Sequence, residues 1–487
     1  MQIQSLEIHE LGKVEEVRQG IVKISGLPNC IYGQMITIGP EGLEGMVIEF
    51  SPNSVLGIVF GDEHKVKVGD TVYSEGKPLA VPVGDNFVGR IVGVLGNPMD
   101  TKGDIVPSSM NPVFRMAAGV MQREPISQPF QTGVKIIDLV VPIGKGQREL
   151  IVGDRQTGKT SIALDTIINQ KGRNVICIYC WIGGSHSAFK KIMQVLQQKK
   201  AMDYTMAICA SAGSSTAEQY LAPYAAAAMG EYFMYQGKDV LVVFDDLTKH
   251  AWVYRQMSLL MERAPGREAY PGDIFFLHSQ LVERAGRLKP ELGGGTMTFL
   301  PIAETLQGDI TGYISSNLVS MTDGQIYLNS GLFQEGFKPA IDLGLSVSRI
   351  GNKAQCPAIR VLGRGLRYKF VQYLALLRLT RLRTKLSSEA TQQLQEGMVL
   401  HELLIQENYF PVPLAGEILL FYALERKILS AFGIDKVKMI KADLFDYVAK
   451  HNPALIEEIN TVQDLTEDMK SKLDGAINGY MREAAPI

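Results

Sequence analysis

The sequence has 487 residues, enough for about three domains of ordinary size. Apolar residues make up 46% and charged residues 21%, the balance of a soluble globular protein. Lys plus Arg number 49 against 51 Asp plus Glu, a net charge of -2, which argues against a chain whose main task is gripping nucleic acid on a basic surface and is permissive of assembly.

Residues 1–10 carry Glu7 and Glu10 and no basic-then-apolar signal pattern. No apolar run anywhere approaches the roughly 18 residues of a membrane span. The protein is expected neither to be exported by that route nor to cross a bilayer. Short β-type runs then alternate with glycine-bearing turns up to about residue 85: Gly20-Ile-Val-Lys-Ile-Ser, Gln34-Met-Ile-Thr-Ile, Gly45-Met-Val-Ile-Glu-Phe, Val55-Leu-Gly-Ile-Val-Phe and Thr71-Val-Tyr. Spacings of about 8–12 residues predict a small barrel or sandwich. Its aromatics, Tyr32, Phe50, Phe60 and Tyr73, stand isolated and make no stacking platform for nucleic acid.

From about Val81 to Leu362, strands alternate with helices, the pattern of a mostly parallel sheet. Strands are expected at 149–152, 175–182, 239–244 and 296–300, and helices at 161–170 and 217–235. Cys177 and Cys180 form a CxxC inside the apolar run Val175-Ile-Cys-Ile-Tyr-Cys-Trp-Ile182, with no second pair at zinc spacing. They read as strand residues. The five scattered cysteines fit a reducing compartment. After about Arg364 strand signals disappear, and segments such as 368–386, 390–406, 416–432 and 466–481 read as helices. The expected fold class is thus multidomain: an N-terminal β-barrel (1–80), a central α/β phosphate-loop NTPase domain of RecA-like type (81–362) and a C-terminal α-helical bundle (363–487).

The central domain carries the chemistry. Gly153-Asp154-Arg155-Gln156-Thr157-Gly158-Lys159-Thr160 matches GxxxxGK[ST], with a strand running in and the amphipathic Ser161-Ile-Ala-Leu running out. Glycines let backbone N–H groups turn onto phosphate oxygens at a helix N-terminus. Lys159 is expected to reach the β- and γ-phosphates and the Thr160 hydroxyl to ligate Mg²⁺. The motif predicts binding of a nucleoside triphosphate, ATP or ADP. A second apolar strand, Val240-Leu-Val-Val-Phe, ends in Asp245-Asp246, and Asp245 is the candidate acid for the Mg²⁺ shell.

These residues, with Val141-Pro-Ile-Gly-Lys-Gly-Gln-Arg, Tyr254-Arg-Gln-Met-Ser-Leu-Leu, Pro265-Gly-Arg-Glu-Ala-Tyr-Pro-Gly-Asp273, Thr322-Asp-Gly-Gln-Ile and Leu345-Ser-Val-Ser-Arg349-Ile-Gly, closely resemble the alpha subunit of the F-type ATP synthase along essentially the whole sequence. The resemblance implies a hexamer alternating with three catalytic beta subunits around a central rotor shaft, at the cytoplasmic face of a membrane that it meets only through partners. It implies a nucleotide site that does not turn over, with ion transport coupled to ATP synthesis or hydrolysis elsewhere in the complex. Catalytic relatives place a water-polarising glutamate just after the strand that follows the phosphate-loop helix. Here that position falls on Gly184 of Trp181-Ile-Gly183-Gly184-Ser-His186, and glycine has no side chain to act. His186 is a weaker substitute base than it is a solvated loop residue. Arg349 is implied to reach the neighbouring beta subunit's site as an arginine finger, where a planar permanent charge suits the transferring phosphoryl group. Gln156, Phe333, Lys338, Gln406 and Asn408 fall where the family lines its non-catalytic pocket. Lys338 replaces an arginine, so its phosphate contact would be monodentate. Asn408 replaces a glutamine.

The match departs in places. The sequence begins almost directly at the barrel, which implies an altered attachment to the peripheral stalk. The stretch 360–385 carries eight basic residues (Arg360, Arg364, Arg367, Lys369, Arg378, Arg381, Arg383, Lys385) and no acidic ones, and is expected to form a changed partner surface. Gly184-Ser185-His186 stands in place of a Gln-Lys-Arg. Two other readings share the core fold: a homohexameric secretion-type ATPase, which needs the glutamate missing at Gly184, and an RNA-translocating hexamer, which needs a basic, aromatic barrel.

Overall fold

Alternating apolar residues in the N-terminal stretch form six antiparallel strands: β1 (Glu10–Arg18), β2 (Ile21–Ser25), β3 (Gln34–Ile38), β4 (Leu43–Ser51), β5 (Ser54–Val59) and β6 (Thr71–Pro78). They close into a barrel in the order β1-β2-β5-β4-β3-β6, as seen in a computed structural model that describes residues 10–51, 54–381 and 387–483. The inward side chains, among them Val22, Ile24, Ile36, Ile38, Val47 and Val72, are buried together. β1 pairs with β6 from Glu10↔Ser74 to Lys13↔Thr71, which leaves no open edge. Of the isolated aromatics, Phe60 is buried, whereas Tyr32 meets Phe114 edge-on at 5.6 Å and its hydroxyl lies 3.0 Å from that of Tyr220. Tyr32 therefore fastens the barrel to a helix of the same unit.

The protein divides into two compact units. The first takes residues up to 124, 174–303 and 311–321, and so combines the barrel with the larger part of the parallel sheet. There, residues 296–303 of the strand Thr296–Glu304 lie side by side with Asp239–Asp245, Val175–Ile182, Thr205–Ala210 and Ile91–Val92, all parallel. Covered on both faces, these strands are continuous apolar runs, not alternating ones. Cys177 and Cys180 are fully buried strand residues with free thiols, and burial pushes both thiols up from their ordinary range. The helix Thr216–Met234 packs on this sheet. It starts in a capping box, in which Ser215 Oγ accepts from Glu218 N and the Glu218 carboxylate accepts from Ser215 N.

Two buried histidines stand under that helix. His250 Nδ1 lies 3.1 Å from His278 Nε2, and His250 Nε2 lies 2.9 Å from the Tyr220 carbonyl. A donor to that carbonyl fixes the His250 tautomer, leaving Nδ1 to accept from His278. Burial lowers His250 to about 4 and His278 well below the usual 6.5. The unfolded chain takes up these protons near 6.5 and the folded one does not, so stability is complete above that pH and falls as pH drops below it. For His250 alone the loss by pH 4 is expected to be about 3 kcal/mol. Urea unfolding between pH 7 and 4 should show this slope, and a His250→Gln/His278→Gln variant should flatten it.

The second unit takes 125–173, 304–310 and 322 onward. It holds the strand Glu149–Gly153, parallel to Gly324–Leu328, which pairs in turn antiparallel with Val347–Ser348. It also holds the helices Leu366–Arg381, Ser388–Leu404, Leu414–Glu425, Ile434–His451, Pro453–Val462 and Glu467–Glu483. The expected helix at 416–432 ends at Glu425, because Lys427 takes a left-handed φ of 57° and Ile428 N–H turns back to the Ala423 carbonyl. Of the basic stretch, Arg367 donates to the Ser346 carbonyl at 2.6 Å and Arg360 to the Gln355 carbonyl at 3.0 Å. Arg364, Lys369 and Arg378 are exposed, and Arg383 and Lys385 lie outside the described residues. No helix among the described residues is long and apolar enough to cross a membrane.

Candidate functional site

The strand Glu149–Gly153 is wholly buried, and the backbone leaves it through a loop that requires two left-handed residues, Gln156 at φ 62° and Gly158 at φ 101°. Only then does the helix Lys159–Ile168 begin. Gly153 sits so close to the neighbouring strand that a Cβ there would meet the Leu328 carbonyl oxygen at 2.6 Å. The loop is held by its own polar groups. Asp154 Oδ1 accepts from Thr305 Oγ1 at 2.7 Å and Gly308 N at 2.8 Å, and Thr157 Oγ1 donates to the Asp154 carbonyl at 2.8 Å. Arg155 donates to Glu304 at 2.9 Å.

Lys159 is buried, and its ammonium donates to the carbonyls of Gly153 at 2.9 Å and Asp154 at 2.6 Å. A buried cation satisfied by two carbonyls of its own loop can exchange them for phosphate oxygens with little rearrangement. Helix N-terminus, inward-turning loop and ammonium all favour an anionic ligand. Thr160 and Ser161, half-buried at the start of the helix, complete the loop.

In the same unit, Lys338 Nζ lies 4.7 Å from the centre of the Phe333 ring, and the Lys338 carbonyl accepts from Gln406 N at 2.8 Å. Phe333, Lys338 and Gln406 are thus brought together. The Gln406 amide donates to the Gly133 carbonyl at 2.7 Å and the Phe410 carbonyl at 3.0 Å, and its oxygen accepts from Lys135 N at 3.1 Å. It is a structural tie as much as a lining group. Asn408 is exposed two positions on. Arg349 is exposed directly after the strand Val347–Ser348, and its N–H donates to the Asp323 carbonyl at 2.8 Å.

In the first unit, Asp245 closes its strand as a buried carboxylate that accepts from Tyr179 Oη at 2.8 Å. After the adjacent strand Val175–Ile182, Gly184 is packed against the Trp181 indole: a Cβ at this position would lie 2.1 Å from Cζ2 and 2.5 Å from Cε2. His186, the first residue of the helix His186–Gln198, is exposed. A side chain at 184 therefore has to displace a buried indole. Gly184→Glu is expected to cost about 1–3 kcal/mol, measured by denaturant unfolding, and Trp181→Ala in the same variant should relieve the clash while costing the lost indole packing.

Sequence reasoning passes over two groups here. Trp181 reads only as a strand residue, and its contact with Gly184 is a matter of side-chain direction that the string does not encode. Glu149 reads as a strand's first residue, although a carboxylate opening a buried strand is itself a signal.

The sequence matches three consecutive family descriptions: the beta-barrel domain of the ATP synthase alpha/beta family over residues 8–76, the nucleotide-binding domain of that family over 133–348, and the C-terminal domain of the ATP synthase alpha/beta chain over 355–480. It is 46% identical over 477 residues to a protein named ATP synthase subunit alpha from Clostridium acetobutylicum, covering 98% of this sequence and 94% of that one. Proteins of the same name from Clostridium botulinum (strain Hall) and Caldanaerobacter subterraneus subsp. tengcongensis are each 45% identical, over 98% and 99% of this sequence and 94% and 95% of theirs. The protein belongs to the ATP synthase alpha/beta family, and within that family its similarity is to the alpha subunits.

Proposed function

We propose that the protein is the alpha-type subunit of a rotary F-type ATP synthase, binding Mg-ATP or Mg-ADP without turning it over and lending Arg349 to the site of an adjacent beta-type subunit. One observation carries this reading: the phosphate loop is complete, while the position for a water-polarising carboxylate is a glycine whose side-chain space is filled by Trp181. Lys159 holds the β- and γ-phosphates, with the backbone of Gly153, Asp154, Arg155, Gln156, Thr157 and Gly158 and the Ser161 hydroxyl around them. The Thr160 hydroxyl would ligate Mg²⁺, and Asp245 is the acid proposed for its shell. Phe333, Lys338, Gln406 and Asn408 line the rest of the pocket. Bound Mg²⁺ supplies charge neutralisation of the phosphates.

Three such subunits alternate with three beta-type subunits around a rotor shaft, peripheral at the cytoplasmic face of a membrane, and couple ATP synthesis or hydrolysis to ion transport. The alpha-subunit relatives and the three matched domains support this assembly.

The purified subunit alone is expected to bind Mg-ATP with no sustained turnover. Lys159→Ala should weaken binding by about 10- to 150-fold, the worth of one charge-assisted hydrogen bond. Sustained hydrolysis that vanishes in Lys159→Ala would replace this reading with that of a catalytic ring of identical subunits.

A further inference from the structure

Three strands of the second unit place one row of residues side by side. Glu149 pairs with Gly324, and Gly324 pairs with Ser348, the residue before Arg349. Glycine in the middle of the row leaves a seat. A Cβ at 324 would lie 2.5 Å from Glu149 Oε2 and 2.8 Å from Oε1, so the carboxyl lies directly over the glycine, extended toward the strand that carries Arg349. The Gln147 amide then bridges the two outer residues, donating to Glu149 Oε2 at 2.7 Å and to Ser348 Oγ at 3.1 Å. Ser348 Oγ donates to the Pro142 carbonyl at 2.7 Å.

The other side of Arg349 is fixed too. Its N–H bonds the Asp323 carbonyl, and the Asp323 carboxylate is gripped by Arg148 through Nε at 2.9 Å and Nη2 at 2.7 Å. In this frame Glu149 is the anomaly. It is fully buried, and its Oε1 has no hydrogen-bond partner. Such an orphan is costly in a packed interior and invites an explanation in terms of what lies beside it. Burial pushes the carboxyl well above the ordinary range; Gln147's hydrogen bond opposes that, Asp323 adds to it, and the Arg349 charge draws it back.

We propose that Glu149 is a positioning residue for Arg349: seated over Gly324 and tied through Gln147 to Ser348, its second carboxyl oxygen sets where the Arg349 guanidinium rests and how it is presented to a neighbouring subunit. This rests on the reading that Arg349 acts on a partner's site. A glutamate is suited to the task because one of its oxygens is already engaged, leaving the other as an acceptor in a defined place. Positioning of this kind works through geometry: an arginine displaced by about 1 Å from its productive place can cost about 10²-fold in rate. The subunit's own nucleotide binding is expected to persist without it, since Lys159 is held by the Gly153 and Asp154 carbonyls of its loop.

The test is a double-mutant cycle in the assembled complex with its beta-type and rotor subunits, reading kcat and KM for ATP hydrolysis. Glu149→Gln keeps the volume and an acceptor for Gln147, so fold and assembly should persist, and replaces only one oxygen by a donor. It is expected to lower kcat about 10- to 100-fold, the range in which outer partners act on the group they orient, with KM within about twofold. In an Arg349→Ala background the same substitution should have no further effect. An unchanged kcat in Glu149→Gln, or an equal loss with and without Arg349, overturns the proposal. If Arg349→Ala alone leaves kcat intact, the arginine reading itself has failed, an outcome distinct from a silent Glu149→Gln beside a damaging Arg349→Ala.

Discussion

Arg349→Ala is expected to lower ATP hydrolysis by the assembled complex by about 10³–10⁵-fold, the range for an arginine supplied in trans to a phosphoryl-transfer site. On the proposed reading the protein leaves its own nucleotide intact, because residue 184 is a glycine, packed against the Trp181 indole, and offers no water-polarising carboxylate. On that reading its contribution to turnover reaches outward, through Arg349. Its side chain is exposed while its backbone is bonded to Asp323 and preceded by the anchored Ser348. A rigid base under an exposed, permanently charged head costs little to preorganise. Arg349→Lys should recover only part of the rate, because an ammonium cannot span two equatorial oxygens as a guanidinium fork does. Mg-ATP binding by the isolated variant should be unchanged, which separates this loss from one at the phosphate loop. Steady-state rates with saturating ATP decide it, and a variant complex within about tenfold of wild type would remove the finger from the mechanism.

Much of this is legible in the sequence because it is local. The phosphate loop is a fixed spacing, and the left-handed Gly158 it needs is the residue the motif supplies. The strand at 175–182 and the helix at 217–235 follow from an unbroken apolar run and from helical periodicity in an alanine-rich segment. What escapes depends on tertiary neighbours. Ile428 and Leu429 continue an apolar helical pattern, yet the helix stops at Glu425 because the backbone turns left-handed at Lys427. Tyr32 looks isolated, and its partner Tyr220 lies 188 positions away. The same holds at the site: Gly184 reads as an absent carboxylate, but only the folded protein shows an indole occupying the place. Gln406, read as a pocket residue, also ties Gly133, Lys135 and Phe410 together, which no spacing rule reveals.

The largest stability effect is expected at Arg284, whose guanidinium is almost wholly buried with the carboxylate of Glu231. Nε and Nη2 each donate to one carboxylate oxygen at 2.8 Å, and Nη1 donates to the Val113 carbonyl at 2.8 Å and the Tyr224 carbonyl at 3.4 Å. Side-chain exposure is 1% for Arg284 and 4% for Glu231. Arg284→Ala leaves a buried carboxylate and two carbonyls with no donor from this side chain, and should cost about 3–5 kcal/mol in denaturant unfolding. Glu231→Leu should cost a similar amount by stranding the guanidinium. The double variant Arg284→Met/Glu231→Leu removes both charges at similar volume, and buried pairs so replaced are often no less stable than the parent. Here recovery should be incomplete, because Val113 still loses its donor, at a cost of about 1–3 kcal/mol. The double variant should therefore fall between wild type and either single variant. Losses that simply add would mean that Arg284 acts through its carbonyl contacts and packing, with the bidentate pair contributing nothing of its own.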